Sequence, residues 1–187
     1  KALAERVRED MERSPVCPDP DPGKPEEFPY AVSTIYSHLL PMAQAWASEE
    51  GPLAGSGKLK ERIEAELRRG LRWIAPGGVE RTGNWYPWLI SIPQRLGPTL
   101  LLLEGKVDAD LFRKSLAAMK GLMGKPMLNG ANGVWEARNH LYLGLLERDP
   151  ERIDLAWEFL LPELTVHGAS GILEDYTYQF HGRLVHT

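Results

Sequence analysis

The sequence predicts an all-α fold, an array of antiparallel helical hairpins, and three observations carry that expectation. Apolar residues recur at spacings of three and four in several long segments, no segment shows sustained strand-like alternation, and the segments are separated by loops rich in Gly, Pro and Asn. With 187 residues and 43% hydrophobic content, the chain is long enough to bury one good-sized core.

Taken in order, "ALAERVREDMER" reads as a short charged helix. "SPVCPDPDPGKPEEFP" follows with six prolines, too many for regular structure, and is expected to be a surface strap, so residues 1–30 separate from the helical body at 31–187. From Ala31 the helical period takes over, with Pro41 expected to kink or divide the helix. Ser56 stands at an N-cap position, and Leu59, Ile63, Leu67, Leu71 and Ile74 form the stripe of the next helix. Asp108 caps a further helix with Leu111, Phe112, Leu116 and Met119 inward. The following helix, near 133–147, shows Val134, Leu141 and Leu145 on one face. Another begins at Asp149 with Pro150 in its first turn and Ile153, Ala156, Trp157, Leu160 and Leu161 inward. The final stretch "LTVHGASGILEDYTYQFHGRLVHT" replaces the stripe with glycines, aromatics and histidines and reads as loop. No closing amphipathic helix follows it, which suggests a piece of something longer.

Composition narrows the function. A net charge of -4 with no basic block gives no electrostatic reason to expect nucleic acid. No apolar run approaches the roughly 20 residues that span a bilayer, so no membrane segment is expected. The single cysteine, Cys17, excludes an internal disulfide framework. There is no Gly-rich phosphate loop and no GxSxG elbow.

Three stretches carry chemistry. "GNWYPWLISIPQRLG" sets Trp85, Tyr86 and Trp88 beside Asn84 and next to two prolines, Pro87 and Pro93; such rings either fill a core or stack on the C–H faces of sugars, with the Asn84 amide to bond hydroxyls or a carboxylate. "NGANG" leads into a helix, so Asn132 is either a cap or an amide aimed into a cleft. In the tail, His181 and His186 lie near Asp175, Tyr176 and Tyr178. A metal pair there lacks an HExxH or Cys partner, and acid/base work by one His fits better. Glu174 and Asp175 are candidates for a glycosidase pair, but adjacent side chains in an extended loop point apart.

Together and in this order, "NWYPWLISIPQRLGPTLLLL", "NGANGVWEAR" and "GILEDYTYQFHGRLVHT" resemble the catalytic α/α-toroid domain of the polysaccharide lyase family that contains chondroitin AC lyase, hyaluronate lyase and xanthan lyase. The match spans residues 80 to 187. The resemblance implies an incomplete (α/α) toroid, with Asn132 and His181 catalytic and Asn84, Trp85, Tyr86 and Trp88 binding substrate. Tyr86 stands where a second Trp is common, Pro87 is unusual there, and Gly133 follows the Asn where a larger residue is common.

The resemblance further implies β-elimination at the uronic acid of an anionic polysaccharide, without metal or cofactor. It implies secretion or a periplasmic home in a bacterium, and a catalytic Tyr and Arg, the rest of the toroid and β-sandwich domains beyond residue 187. The fragment alone is therefore expected to be inactive. Two other readings stay open: a toroid glycoside hydrolase using Glu174 or Asp175, and a non-catalytic glycan-binding array.

Overall fold

The computed structural model of the protein describes residues 2–164, 166, 171–174, 177–180 and 183–185. Helices carry the fold, as the sequence predicts, and they fall into two compact units, Lys1–Leu122 and Met123–Thr187.

The first unit contains α1 (Ala2–Glu12), α2 (Phe28–Ala47), α3 (Gly57–Ile74), α4 (Ile92–Leu103) and α5 (Ala109–Leu122). Its centre is α2, which packs against α1, α3 and α4 and buries Phe28, Val32, Ile35, Leu39 and Met42 almost completely. Pro41 does not divide α2, which runs through it. Helix α3 follows its stripe: Leu59, Ile63, Leu67 and Ile74 are buried, Leu71 partly so, and Ser56 accepts the Leu59 N–H at 3.4 Å. Asp108 likewise caps α5, accepting the Leu111 N–H at 2.8 Å.

The proline-rich strap is irregular, and it is fastened by polar contacts. Arg69 on α3 donates to the Cys17 carbonyl at 3.2 Å and to Asp19 at 2.9 Å, and its Nε meets Glu66 at 2.6 Å. Glu66 in turn accepts the Val16 N–H at 3.4 Å. One buried carboxylate and one guanidinium thus hold the strap, because neither charge could stay buried unpaired.

The aromatic stretch is helical despite its two prolines. Trp85 and Tyr86 form a first helical turn, Pro87–Ser91 a π-helical turn, and α4 continues without a break. Pro87 sits in the opening turn, where a missing N–H costs little. Pro93 cannot supply an i→i−4 bond, and immediately before it the ladder widens so that Ile92 N–H bonds the Pro87 carbonyl.

The second unit is a hairpin of α6 (Gly130–Glu147) and α7 (Pro150–Leu164), followed by three short antiparallel strands. Those strands, β1 (Gly171–Ile172), β2 (Tyr178–Phe180) and β3 (Arg183–Val185), pair in sequence order, so the tail is not loop throughout. Asp149 caps α7 through the Arg152 N–H at 3.1 Å.

The stripe expected on α6 is also corrected. Val134 and Leu141 are only partly buried and Leu145 is exposed; the buried residues include Gly133, Ala137, His140 and Gly144. On α7 only Ala156 of the expected inner face is buried, and Trp157 and Leu161 are exposed. Small residues on α6 admit α7 closely: a Cβ on Gly144 would lie 2.8 Å from Ile153 Cγ1.

Candidate active site

The aromatic element is built from its turn. Gly83 has φ +74°, and a Cβ there would lie 2.0 Å from the Pro25 carbonyl oxygen, so this close approach of the strap requires glycine. The next residue, Asn84, opens the helix: its Oδ1 accepts the Tyr86 N–H at 2.8 Å. Its Nδ2 donates to the Tyr30 hydroxyl at 2.9 Å. The Trp85 ring is 45% exposed and meets Tyr86 edge-on, with centroids 6.0 Å apart.

Trp88 departs from its expected place on this platform. It is 4% exposed, packs against Phe28 with centroids 5.7 Å apart, and gives its indole N–H to the Thr82 carbonyl at 3.0 Å. The helical start at Trp85 explains the reversal, since residues three apart share a side of the helix only approximately and the π turn rotates Trp88 inward. Its ring is core surface, whereas Trp85 is exposed and so, unforeseen from sequence, is Tyr30, at 48%.

Asn132 belongs to the second unit. The helix starts earlier than the sequence suggests, at Gly130, so Asn132 lies in the first turn of α6 and not at its cap. The N-cap position is held by Asn129, whose side chain makes no capping bond. Carboxylates instead hold the backbone that leads into the helix and its first residue. One oxygen of buried Glu136 accepts the N–H groups of Met127 and Leu128 at 2.9 and 2.8 Å, and Glu163 accepts that of Gly130 at 2.8 Å. Negative charge at the N-terminus of α6 is favoured by the helix dipole. A Cβ on Gly133 would lie 2.8 Å from the Leu128 carbonyl oxygen, which accounts for glycine after Asn132 without reference to substrate.

His181, His186, Asp175 and Tyr176 lie outside the described residues, and Glu174 is exposed in a turn. Among the described residues no cluster of His, Cys, Asp and Glu could hold a metal ion, and no helix is long and apolar enough to cross a membrane. The described histidine with a shifted pKa is His140, buried on α6 and pushed down to about 4 by burial and by the Arg152 charge. Arg152 Nη1 lies 3.3 Å from His140 Nδ1 and can only donate, so the ring is neutral with Nδ1 as acceptor. It is a structural group.

Comparison with known proteins gives these elements a context. The family model for polysaccharide lyase family 8, N-terminal alpha-helical domain, matches residues 8–187. A hyaluronate lyase of Enterococcus faecalis is 25% identical over 89% of this chain and 19% of its own length. A chondroitinase-AC of Pedobacter heparinus is 30% identical over 78% of this chain and 21% of its own. The chain thus spans about a fifth of the length of these curated relatives. Among solved structures, the Streptomyces coelicolor A3 chondroitin AC lyase in complex with chondroitin sulphate superposes with a TM-score of 0.82 at 26% identity, over 96% of this chain and 26% of that one. The Paenibacillus xanthan lyase gives a TM-score of 0.82 at 21% identity over 97% of this chain and 18% of that one, a likeness of fold. The all-α fold is therefore that of part of a helical toroid.

Proposed function

The chain belongs to polysaccharide lyase family 8, whose N-terminal α-helical domain it matches over residues 8–187, and on that premise we propose that it forms part of the catalytic domain of an enzyme cleaving a uronic-acid-containing polysaccharide by β-elimination. In this reading residues 31–187 begin the toroid, residues 1–30 strap onto it, and the remainder of the toroid and β-sandwich domains complete the enzyme. The substrate is an anionic polysaccharide such as chondroitin, hyaluronan or a xanthan-like chain. Secretion or periplasmic export would bring the enzyme to such polymers.

The reaction breaks the C5–H bond beside the uronate carboxylate and then the C4–O bond to the leaving sugar, forming a C4–C5 double bond. Abstraction drives further negative charge onto a group already anionic, and this is the main barrier. An amide donor from Asn132 to the carboxylate would offset part of that cost, an effect worth about 3–4 kcal/mol for a comparable oxyanion donor. His181 would share this task or assist proton removal, while a Tyr beyond residue 187 would take the C5 proton and return one to the leaving oxygen. Asn84, Trp85 and Tyr86 would hold the chain by hydrogen bonding and stacking, keeping the scissile bond near the reacting groups. The scheme calls for no metal or cofactor.

The observation that carries this reading is the place of Asn132. It stands in the first turn of α6, past the N-cap position held by Asn129, and Glu163 takes the Gly130 N–H at the helix start. Its amide is not consumed as the helix cap.

The test is near-ultraviolet absorbance of the unsaturated uronate, followed in the complete gene product with chondroitin, hyaluronan and xanthan. Absorbance that rises in the parent protein and is lost in Asn132→Ala and His181→Ala supports the lyase. New reducing ends without absorbance would replace it with a hydrolase, and binding without cleavage with a glycan-binding domain.

A further inference from the structure

Tyr30 lies at the start of α2, 54 residues before Asn84, yet the two are joined by a 2.9 Å hydrogen bond. The direction of that bond is fixed by elimination. Asn84 Oδ1 faces the Tyr86 N–H, which can only donate, so the amide nitrogen must face Tyr30. An amide nitrogen donates as well, so the Tyr30 oxygen is the acceptor. Its own hydroxyl hydrogen is left pointing away from Asn84, on a side chain 48% exposed to solvent.

Beside it stand Asn84, also exposed, and Trp85, 45% exposed. Half-exposed aromatic residues scattered singly need no explanation. Here one of them, Tyr30, is hydrogen-bonded to Asn84, the residue that precedes the other, Trp85, and its hydroxyl donor is oriented by that amide, which makes a surface suited to an amphipathic ligand. A sugar ring presents just that combination, an apolar C–H face rimmed by oxygen acceptors. The carbonyl of Pro25 and the ring of Pro29 come so close to Gly83 that no side chain fits there, which brings the turn carrying Asn84 against the start of α2 carrying Tyr30.

We propose that Tyr30 is a substrate-contacting residue: its ring extends the stacking surface of Trp85, and its hydroxyl donates a hydrogen bond to an oxygen of the bound uronate polysaccharide. This rests on the reading of Trp85 as a sugar-stacking residue. It adds the N-terminus of α2 to the binding surface and gives the enzyme a donor that can distinguish sugars by where their oxygens lie.

The experiment compares Tyr30→Phe, Asn84→Ala, the double variant and Trp85→Ala in the complete gene product, with chondroitin sulphate and hyaluronan as probes. Tyr30→Phe keeps the ring and removes the donor. It should raise KM about three- to tenfold, the range that one net hydrogen bond supplies, with a much smaller change in kcat. The rise should persist when Asn84 is already Ala; a residue acting only as a brace for Asn84 would add nothing in that background. An unchanged KM in Tyr30→Phe, or an effect that vanishes in the double variant, overturns the proposal while leaving the platform intact. Failure of Trp85→Ala to raise KM would overturn the platform reading itself, and the role of Tyr30 with it.

Discussion

The Glu163 carboxylate accepts the backbone N–H of Gly130 at 2.8 Å, so the last turn of α7 holds the first turn of α6. Glu163→Ala removes a charge-assisted bond worth roughly 1.5–3 kcal/mol in full, and less at a partly exposed site. The loss should appear locally, as faster amide hydrogen exchange at Gly130 and its neighbours through Asn132, while the interior of α6 keeps its protection. Exchange rates unchanged in that turn would show that the bond does not hold it.

Gly83 and Gly55 separate the cost of a left-handed backbone from that of a steric clash. Both have positive φ, +74° and +64°, but only Gly83 has a neighbour where a Cβ would go. Gly55→Ala should therefore cost about 1–2 kcal/mol, the price of a left-handed L-residue. Gly83→Ala must in addition displace the Pro25 carbonyl and should cost clearly more in a urea titration. Equal midpoints for the two variants would mean that the strap yields freely.

What the sequence made legible was local. The Ser56 cap and the Leu59–Ile74 stripe lie within one segment, and periodicity reads them directly. The face of α6 was misread for a physical reason: Gly144 is buried where α7 approaches closely and Gly133 where the Leu128 carbonyl does, and a hydrophobic pattern ranks Val134, Leu141 and Leu145 above them. Tyr30 beside Asn84 was beyond reach, since no periodicity links residues brought together by a strap folding back on a helix. Trp88 was placed on the platform because three rings close in sequence look alike until the π turn assigns one of them to the core. The motif order in residues 80–187 did point to the family.

His140 makes stability depend on pH. Its pKa falls from 6.5 in the unfolded chain to about 4 in the fold, because burial disfavours the imidazolium and the neighbouring Arg152 repels it. Between those values the unfolded chain binds more protons than the folded one, so stability rises with pH across the window. The contribution is intact above about 6.5 and is lost as pH falls toward about 4. Arg152 also meets Glu147 at 3.4 Å and Asp149 at 3.6 Å, which holds its charge beside the ring. His140→Gln keeps a neutral polar group and should flatten the acid limb of a plot of urea midpoint against pH. A slope unchanged by that substitution would assign the acid sensitivity to other groups.

Glu136 offers the sharpest test of how the loop leading into the Asn132 turn is held. A single oxygen, Oε2, accepts both the Met127 and the Leu128 N–H, and the side chain is 6% exposed. Glutamine can present its one carbonyl oxygen in the same position, keeping both bonds and losing only the charge. Alanine keeps neither, and each buried N–H left without a partner costs about 1–3 kcal/mol. Glu136→Gln should therefore be destabilised by about 1 kcal/mol and Glu136→Ala by two to three times as much. If Asn132 acts on the substrate carboxylate, the two variants should diverge further in activity. The loop loosened by Ala no longer presents the amide in one position, which lowers kcat more than it raises KM. Denaturant midpoints and steady-state kinetics on the complete gene product measure both effects; equal losses in the two variants would show that charge, and not the shared acceptor oxygen, holds the loop.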